Sequence, residues 1–144
     1  MAKLSVKVMG AKEIQDLFKK MDIVSKSYAK EVIQESSLNV MSGAKKRCPV
    51  AKEKGVGGTL RASIRPSYYN NGLTADVGTN LQYGPFVEFG TGRSGAASDH
   101  PPLPEGYTHG AKPGMPAQPY LYPAFEAERP SFESKMKDIV EHLI

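Results

Sequence analysis

Few residues of this chain stand in a pattern that catalysis uses. A nucleophilic Ser, Cys or Thr needs a base beside it and a third group that orients the base. The three histidines are His100, His109 and His142, and no serine is framed by a Gly-x-Ser-x-Gly motif. Cys48 precedes a proline at a predicted helix end, where a space-filling role is favoured over a reactive one. The pattern predicts no catalytic residues and a protein that is not an enzyme.

Metal binding would draw on four residues of one segment, Asp99, His100, Glu105 and His109. A metal site needs three or four ligands on a rigid frame with supporting hydrogen bonds. Three prolines and Gly106 separate these residues, and no helix or strand is predicted there. Residues 55–58 are glycine-rich but lack the Lys-Ser/Thr pair of a phosphate-binding loop. We therefore predict no metal site and no cofactor.

Glu88 is the one acid whose surroundings suggest burial, because Val87 and Phe89 flank it. Burial would raise the pKa of such a carboxyl and suit it to acid–base chemistry. The favoured interpretation is structural: Glu88 accepts hydrogen bonds from backbone N–H groups or an arginine, inside the fold or across a subunit contact.

Length and composition predict one domain of soluble globular type, spanning residues 1–144. Apolar residues make up 40% of the chain and charged residues 24%. No run approaches the roughly 18 apolar residues of a membrane span, and the N-terminus lacks a signal-peptide core. With a single cysteine no internal disulfide can form, and a reducing compartment, the cytoplasm, is expected.

The net charge of +4 is unevenly distributed. Residues 1–65 hold 14 basic and 6 acidic residues, and residues 66–144 hold 5 and 9. Such asymmetry can steer a nucleic acid or an acidic partner, or let identical subunits stack head to tail. Solvated lysine faces on helices are the equally weighted alternative.

The first half of the chain predicts a strand followed by two helices. Leu4, Val6 and Val8 alternate with polar residues as in a strand, and residues 14–21 carry the apolar spacing of an amphipathic helix. Residues 25–47 predict the longest helix, which Pro49 ends. Residues 50–58 read as a flexible linker.

The second half predicts a β-hairpin, a loop and a final helix. Residues 65–69 and 73–78 flank Asn-Asn-Gly, which favours a tight turn. Residues 83–91 predict a short helix or an irregular buried segment, and residues 92–118 a long flexible loop. A helix begins near Pro119, with Pro123 in its first turn and a kink or a break into two helices at Pro130. The fold class is α+β, with helices packed on a small antiparallel sheet.

Four sequence boxes occur in a recognisable order. The long helix ends in Ala-Lys-Lys-Arg-Cys-Pro-Val (residues 44–50), and residues 58–64 read Gly-Thr-Leu-Arg-Ala-Ser-Ile. Residues 83–91 read Tyr-Gly-Pro-Phe-Val-Glu-Phe-Gly-Thr, and residues 115–125 read Met-Pro-Ala-Gln-Pro-Tyr-Leu-Tyr-Pro-Ala-Phe. The chain thereby resembles the neck and tail-completion family of tailed bacteriophages, which includes tail components and minor head–tail joining proteins. It departs from the family in Cys48 (usually Ala), Tyr120 (usually Phe) and an enlarged loop at 92–118.

The resemblance implies a structural virion protein with an α+β fold. Such a subunit forms a homo-oligomeric ring, a hexamer or dodecamer, that joins tail to capsid and lines the DNA passage. Its expected partners are its own copies, the neighbouring connector and tail proteins and, transiently and non-specifically, the genomic DNA, with no membrane. The alternatives are a tail terminator or other minor tail subunit, or a small non-specific nucleic-acid-binding or nuclease-like protein.

The resemblance also points to two groups of residues. The candidates for structural and oligomer contacts are Tyr83, Phe86, Glu88, Phe89, Gly90, Thr91, Pro119, Tyr120, Leu121 and Pro123. The candidates for facing the lumen or DNA are Lys45, Lys46, Arg47, Arg61 and Arg65. At least one of Arg61 and Arg65 is expected to face the lumen or the acidic half of a neighbour.

Overall fold

A computed structural model describes residues 4–7, 23–50 and 58–142, and its architecture confirms the α+β class. Three strands, five helices and a 3-10 turn follow one another in these residues. Their bounds are β1 Leu4–Lys7, α1 Ile23–Arg47, α2 Thr59–Ser63, β2 Arg65–Tyr69, the 3-10 turn Asn70–Gly72, β3 Thr74–Thr79, α3 Gly84–Phe89, α4 Gly92–Ala96 and α5 Leu121–Glu141.

Helix α1 confirms the prediction of one long helix at residues 25–47. The sequence predicts an apolar stripe along this helix, formed by Ala29, Val32, Ile33, Val40 and Ala44. All of these residues are buried except Val32, which is half-buried. Ser36 and Ser37 are also fully buried, which the apolar pattern did not predict. The Ser37 hydroxyl donates to the carbonyl of Gln34 at 2.8 Å and lies 2.8 Å from the Tyr68 hydroxyl, so a hydrogen bond links α1 to the sheet.

Helices α1 and α5 pack side by side in opposite directions. Lys135 pairs with Glu35 at 3.0 Å, and the Asn39 amide donates to Glu128 at 3.2 Å. Further along, a Cβ on Gly43 would lie 3.2 Å from the Ala124 Cβ, so small residues let the two helices approach closely. Their contact forms the larger part of the core.

Helix α5 is a single helix with Pro130 inside it, so the predicted alternative of two consecutive helices is wrong. Pro130 has no N–H to donate to the carbonyl four residues earlier. The burial of Phe132 and Met136 beyond it keeps the helix packed on α1, and this tertiary contact outweighs the local cost of the proline. Pro123 lies in the first turn, as predicted.

The sheet is antiparallel with the order β1-β3-β2. Val6 pairs with Val77 on one side, and Arg65 pairs with Gly78 on the other. Ala75 and Val77 of β3 are fully buried and belong to the same core as α1. The predicted hairpin is confirmed: Asn70, Asn71 and Gly72 adopt φ of 52°, 56° and 84°, values that asparagine and glycine tolerate.

Several predictions fall partly or wholly outside the described residues. These are the amphipathic helix at 14–21, the strand position Val8 and most of the linker at 50–58. Residues 84–89 form the predicted short helix, whereas residues 92–96 are helical where no regular structure was expected. In the part of the chain that the structure describes, no helix is long and apolar enough to cross a membrane.

Candidate functional site

Glu88 joins the short helix α3 to the start of α5. Its side chain is 1% exposed, and its carboxylate accepts three backbone N–H groups: Tyr120 at 2.8 Å, Leu121 at 2.9 Å and Tyr122 at 2.9 Å. The first N–H groups of a helix have no partner within it, and the helix dipole favours a negative charge there. This geometry confirms the structural interpretation of Glu88 and leaves its oxygens committed inside the fold.

Tyr120 completes the same junction. Its side chain is fully buried, and its hydroxyl donates to the Gly84 carbonyl at 3.2 Å. Burial, reinforced by the negative charge of Glu88, raises the pKa of Tyr120 far above its usual value, so the phenol stays protonated and donating. Gly84 is required here because a Cβ would collide with the Thr79 side chain and lie 3.1 Å from the phenol oxygen.

The segment at residues 92–118 is here called the arm. Its root is the part next to Thr91, where residues 91–93 form backbone hydrogen bonds with residues 109–115. The Thr91 N–H donates to Met115 at 2.8 Å and the Met115 N–H donates back at 3.1 Å. The Arg93 N–H donates to Lys112 at 2.9 Å, and the Gly92 N–H donates to His109. Gly92 has φ of 61°, and a Cβ on it would collide with the Pro113 carbonyl. Backbone pairing therefore fixes the root.

Two aromatic side chains of the arm, Tyr107 and His109, lie against the C-terminal end of α3. The Tyr107 ring lies 5.1 Å from Phe89 and 6.3 Å from Phe86, and its hydroxyl donates to the Gly90 carbonyl at 2.5 Å. The His109 ring donates from Nε2 to the Phe89 carbonyl at 3.1 Å. Burial raises the pKa of Tyr107, which keeps its hydroxyl a donor.

The group considered for metal binding is only partly brought together. The His100 and His109 rings lie 5.1 Å apart. Among the described residues, no group of three or more His, Cys, Asp or Glu side chains is placed to hold a metal ion.

The predicted contact residues divide by exposure. Glu88, Phe89, Gly90, Tyr120 and Leu121 are buried, and their contacts hold this chain together; Thr91, Pro119 and Pro123 are half-buried. Tyr83, the residue before α3, and Phe86, within α3, are 45% and 46% exposed. These two side chains are available to a neighbouring molecule.

Four of the five predicted basic residues lie at one end of the molecule, here called the basic end: Lys45, Lys46, Arg47 and Arg61. Lys46, Arg47 and Arg61 are exposed and Lys45 is half-buried. Burial raises the pKa of the Cys48 thiol, and the positive charge of Arg61 partly offsets that rise, which places Arg61 beside the end of α1.

Arg65 is exposed at the start of β2. It lines a cavity of about 320 Å³ on the sheet, together with Ser67 and Asp76. Ser67 pairs with Asp76 across β2 and β3, so the cavity follows the face of the sheet. Arg61 is not among the residues that line this cavity.

Sequence reasoning missed the partners within the arm. Tyr107, His109 and Met115 were all assigned to a loop without regular structure. The one signal for their role is that Tyr107 is the only aromatic residue between Phe89 and Tyr120 apart from the histidines. Its ring packs on Phe86, Phe89 and His109, and its hydroxyl donates to a backbone carbonyl, contacts that leave no periodic pattern in the sequence.

Comparison with known proteins gives one match. The sequence model of the family described as "Bacteriophage HK97-gp10, putative tail-component" matches residues 11–90, more than half of the chain. No curated protein and no solved structure matches. The matched range includes α1, the hairpin and the box with Glu88.

Proposed function

This chain belongs to the HK97 gp10-like family of bacteriophage tail components, and we propose that it forms a ring of six or twelve copies at the head–tail junction. Membership makes it a structural protein of the phage tail, which implies a role without enzymatic activity. In the proposed ring the protein completes the tail, joins it to the capsid and surrounds the passage of the DNA.

The observation that carries the proposal is a pair of exposed aromatic side chains at α3, Tyr83 just before the helix and Phe86 within it. Both are exposed, whereas Glu88 and Phe89 of the same short helix are buried. Large aromatic side chains contribute much of the contact area at protein interfaces, and adjacent exposed ones mark such sites. Because Glu88 holds α3 against α5, the two aromatics sit on a fixed support. A rigid support suits a contact repeated around a ring.

The basic residues support a passage for DNA. Arg61 belongs to the basic end and Arg65 lines the cavity on the sheet, so one can face a neighbouring subunit while the other faces the lumen. A lumen lined by a repeated positive charge contacts phosphates without sequence preference, and such contacts weaken with salt. This suits a genome that must pass rather than bind tightly.

A tail terminator or another minor tail subunit is the alternative position. Both would use a ring and the same local contacts, so only the location within the particle separates them. A non-specific nucleic-acid-binding protein is the second alternative. The observation that favours it is that the basic end forms no ion pair with any carboxylate of the described residues. That function predicts strongly salt-dependent binding of any DNA duplex by the isolated protein.

Electron microscopy of the purified protein, alone and mixed with tail or connector proteins, tests the ring. Closed rings of six or twelve subunits are expected, and the protein is expected in purified virions. A protein that stays monomeric in every mixture and is absent from virions would overturn the proposal.

A further inference from the structure

The outer part of the arm, residues 98–106, is here called the arm tip. It is mostly exposed, although Pro101 is buried, and it is stiffened by its sequence. Pro101, Pro102 and Pro104 fix the backbone φ at three of its nine positions. The Tyr107 N–H donates to the Pro104 carbonyl at 3.1 Å, which closes a turn at the far side. A segment already restricted in conformation loses little entropy on binding.

The arm tip projects from a root that is held in place. Backbone hydrogen bonds join Thr91 to Met115 and Arg93 to Lys112, and Tyr107 packs on Phe89. The tip residues 102–106 are nevertheless all exposed, including Leu103 at 39%. A fixed root with an exposed, stiff tip has the form of a ligand presented to another surface.

The arm tip is acidic. Asp99 and Glu105 are both exposed, and no lysine or arginine of the tip accompanies them. Within the described ranges of the chain, neither carboxylate forms an ion pair. Their charges are therefore free to meet a basic surface elsewhere.

The basic end offers the complementary charge. Of its four residues, Arg47 donates to the Gly43 carbonyl at 3.1 Å, and none forms an ion pair with a described carboxylate. Glu88, the nearest buried acid, is occupied by the start of α5. Val50, 41% exposed, follows the end of α1 and provides an apolar spot beside the charges, to match Leu103.

From these two surfaces we infer that the arm tip of one copy docks on the basic end of the next copy. This contact rests on the proposed ring and specifies how its subunits join. Because the tip and the basic end are different surfaces of the same chain, the contact is head to tail and repeats until the ring closes. Opposite charges set the orientation of neighbours and exclude the reversed one. The Tyr83–Phe86 pair adjoins the arm through Phe86 and Tyr107, so it extends the same interface.

Charge reversal on each surface, followed by mixing, tests the contact. The arm variant is Asp99→Lys with Glu105→Lys. The basic-end variant is Lys46→Glu with Arg47→Glu and Arg61→Glu, so that Lys45 is outnumbered by three carboxylates and the end becomes negative. All five side chains are exposed, so both variants are expected to fold, which circular dichroism checks. Each variant alone brings like charges together, and its self-association, measured by sedimentation at near-physiological salt, should weaken by at least about tenfold.

A one-to-one mixture of the two variants should restore assembly. The positive tip of the arm variant meets the negative end of the basic-end variant, and the negative tip of the latter meets the unaltered basic end of the former. Both contacts are again complementary when the two variants alternate, which an even-numbered ring permits. The matched control is Glu31→Lys with Asp138→Lys, exposed acids on α1 and α5 that form no ion pair in the described part of the chain. It should assemble like the wild type.

Each other outcome overturns the inference. If both variants form rings as well as the wild type does, the arm tip does not dock on the basic end, whereas the proposed ring itself is retained. A mixture that stays dissociated, together with loss of duplex DNA binding in the basic-end variant alone, would assign the basic end to DNA. A wild-type protein that never self-associates would also remove the contact, and the presence or absence of the protein in virions would then decide the proposed function separately.

Discussion

Glu88 shows what a single residue contributes to this fold. Its neighbours Val87 and Phe89 predicted burial, and the interpretation that it accepts hydrogen bonds followed from that. The donors could not be predicted, because the N–H groups of Tyr120, Leu121 and Tyr122 are more than thirty residues away and reach Glu88 only through the packing of α5. The chemistry of Glu88 could therefore be predicted from the sequence, whereas its hydrogen-bond donors depend on the tertiary structure.

Replacing Glu88 should destabilise the protein in proportion to the acceptors lost. Glu88→Ala leaves three N–H groups without their acceptor, two of them buried, and should lower the free energy of unfolding by about 3 kcal/mol. Glu88→Gln keeps one acceptor oxygen but loses the charge that favours the helix start, and should cost about 1–2 kcal/mol. Urea denaturation measures both.

The matched control for Glu88 is Glu133→Gln on the exposed face of α5. Glu133 pairs with Arg129 at 2.8 Å, but both side chains are more than half exposed. Removing such a pair should change the free energy of unfolding by less than about 0.5 kcal/mol. Equal losses of unfolding free energy in the Glu88 and Glu133 variants would contradict the claim that Glu88 joins α3 to the start of α5.

At the scale of elements, the helices and the hairpin were predictable and the arm was not. The long helix follows from its apolar stripe, and the hairpin follows from Asn-Asn-Gly, whose residues adopt positive φ. Helix α4 and the root of the arm depend on glycine backbone and on hydrogen bonds to Thr91. Such pairing leaves no alternation or helical spacing in side chains. Whether the rest of the arm and residues 50–58 are flexible stays a prediction, as does the single-domain organisation.

The arm root should open when Gly92 is replaced. Gly92→Ala forces a positive φ on alanine and drives its Cβ into the Pro113 carbonyl. The amides of Arg93 and Met115 should then exchange hydrogen faster by about tenfold or more, while the core of α1 keeps its protection. Hydrogen exchange with mass spectrometry measures this by segment.

Gly106→Ala is the control for the arm root. Gly106 also has a positive φ, 80°, but nothing lies within 4 Å of the added Cβ. Its exchange pattern at the root should match that of the wild type. Faster hydrogen exchange at the arm root in Gly106→Ala, or no faster exchange there in Gly92→Ala, would be inconsistent with the described contacts.

Pro130 offers a test of how α5 is held. Pro130→Ala supplies an N–H to the helix and should raise the free energy of unfolding by about 1–2 kcal/mol, seen as a higher Tm. Pro123→Ala is the matched comparison, because a first-turn proline lacks no intrahelical bond, and it should change stability little or lower it slightly. A lower Tm for Pro130→Ala would show that the proline is needed for the packing of α5 on α1.

At the scale of the whole molecule, the order of four boxes predicted the family and the α+β class. The charge asymmetry between the halves was also visible in the sequence, with solvated faces and a functional surface left open. Among the described residues, the structure places four basic residues at the basic end on α1 and α2 and two exposed acidic residues on the arm tip. Sequence could not predict this arrangement, because it depends on which segments meet in space.

The exposed aromatics of α3 give a prediction at the same scale. Tyr83→Ser with Phe86→Ser removes apolar area from the proposed contact and should abolish ring formation while leaving the monomer folded. Tyr28→Ser, which removes an aromatic 59% exposed on α1, is the control and should leave rings intact. Electron micrographs of the three proteins at equal concentration make the comparison, and rings in the double variant would exclude α3 from the interface.

A cryo-electron microscopy reconstruction of the head–tail junction in the parent particle tests the central claim most directly. The account predicts a closed ring of six or twelve copies of this α+β chain between capsid and tail, with Tyr83 and Phe86 between subunits and the DNA passage at the centre. A junction that contains no copy of the chain, or copies that make no contact with one another, would contradict it.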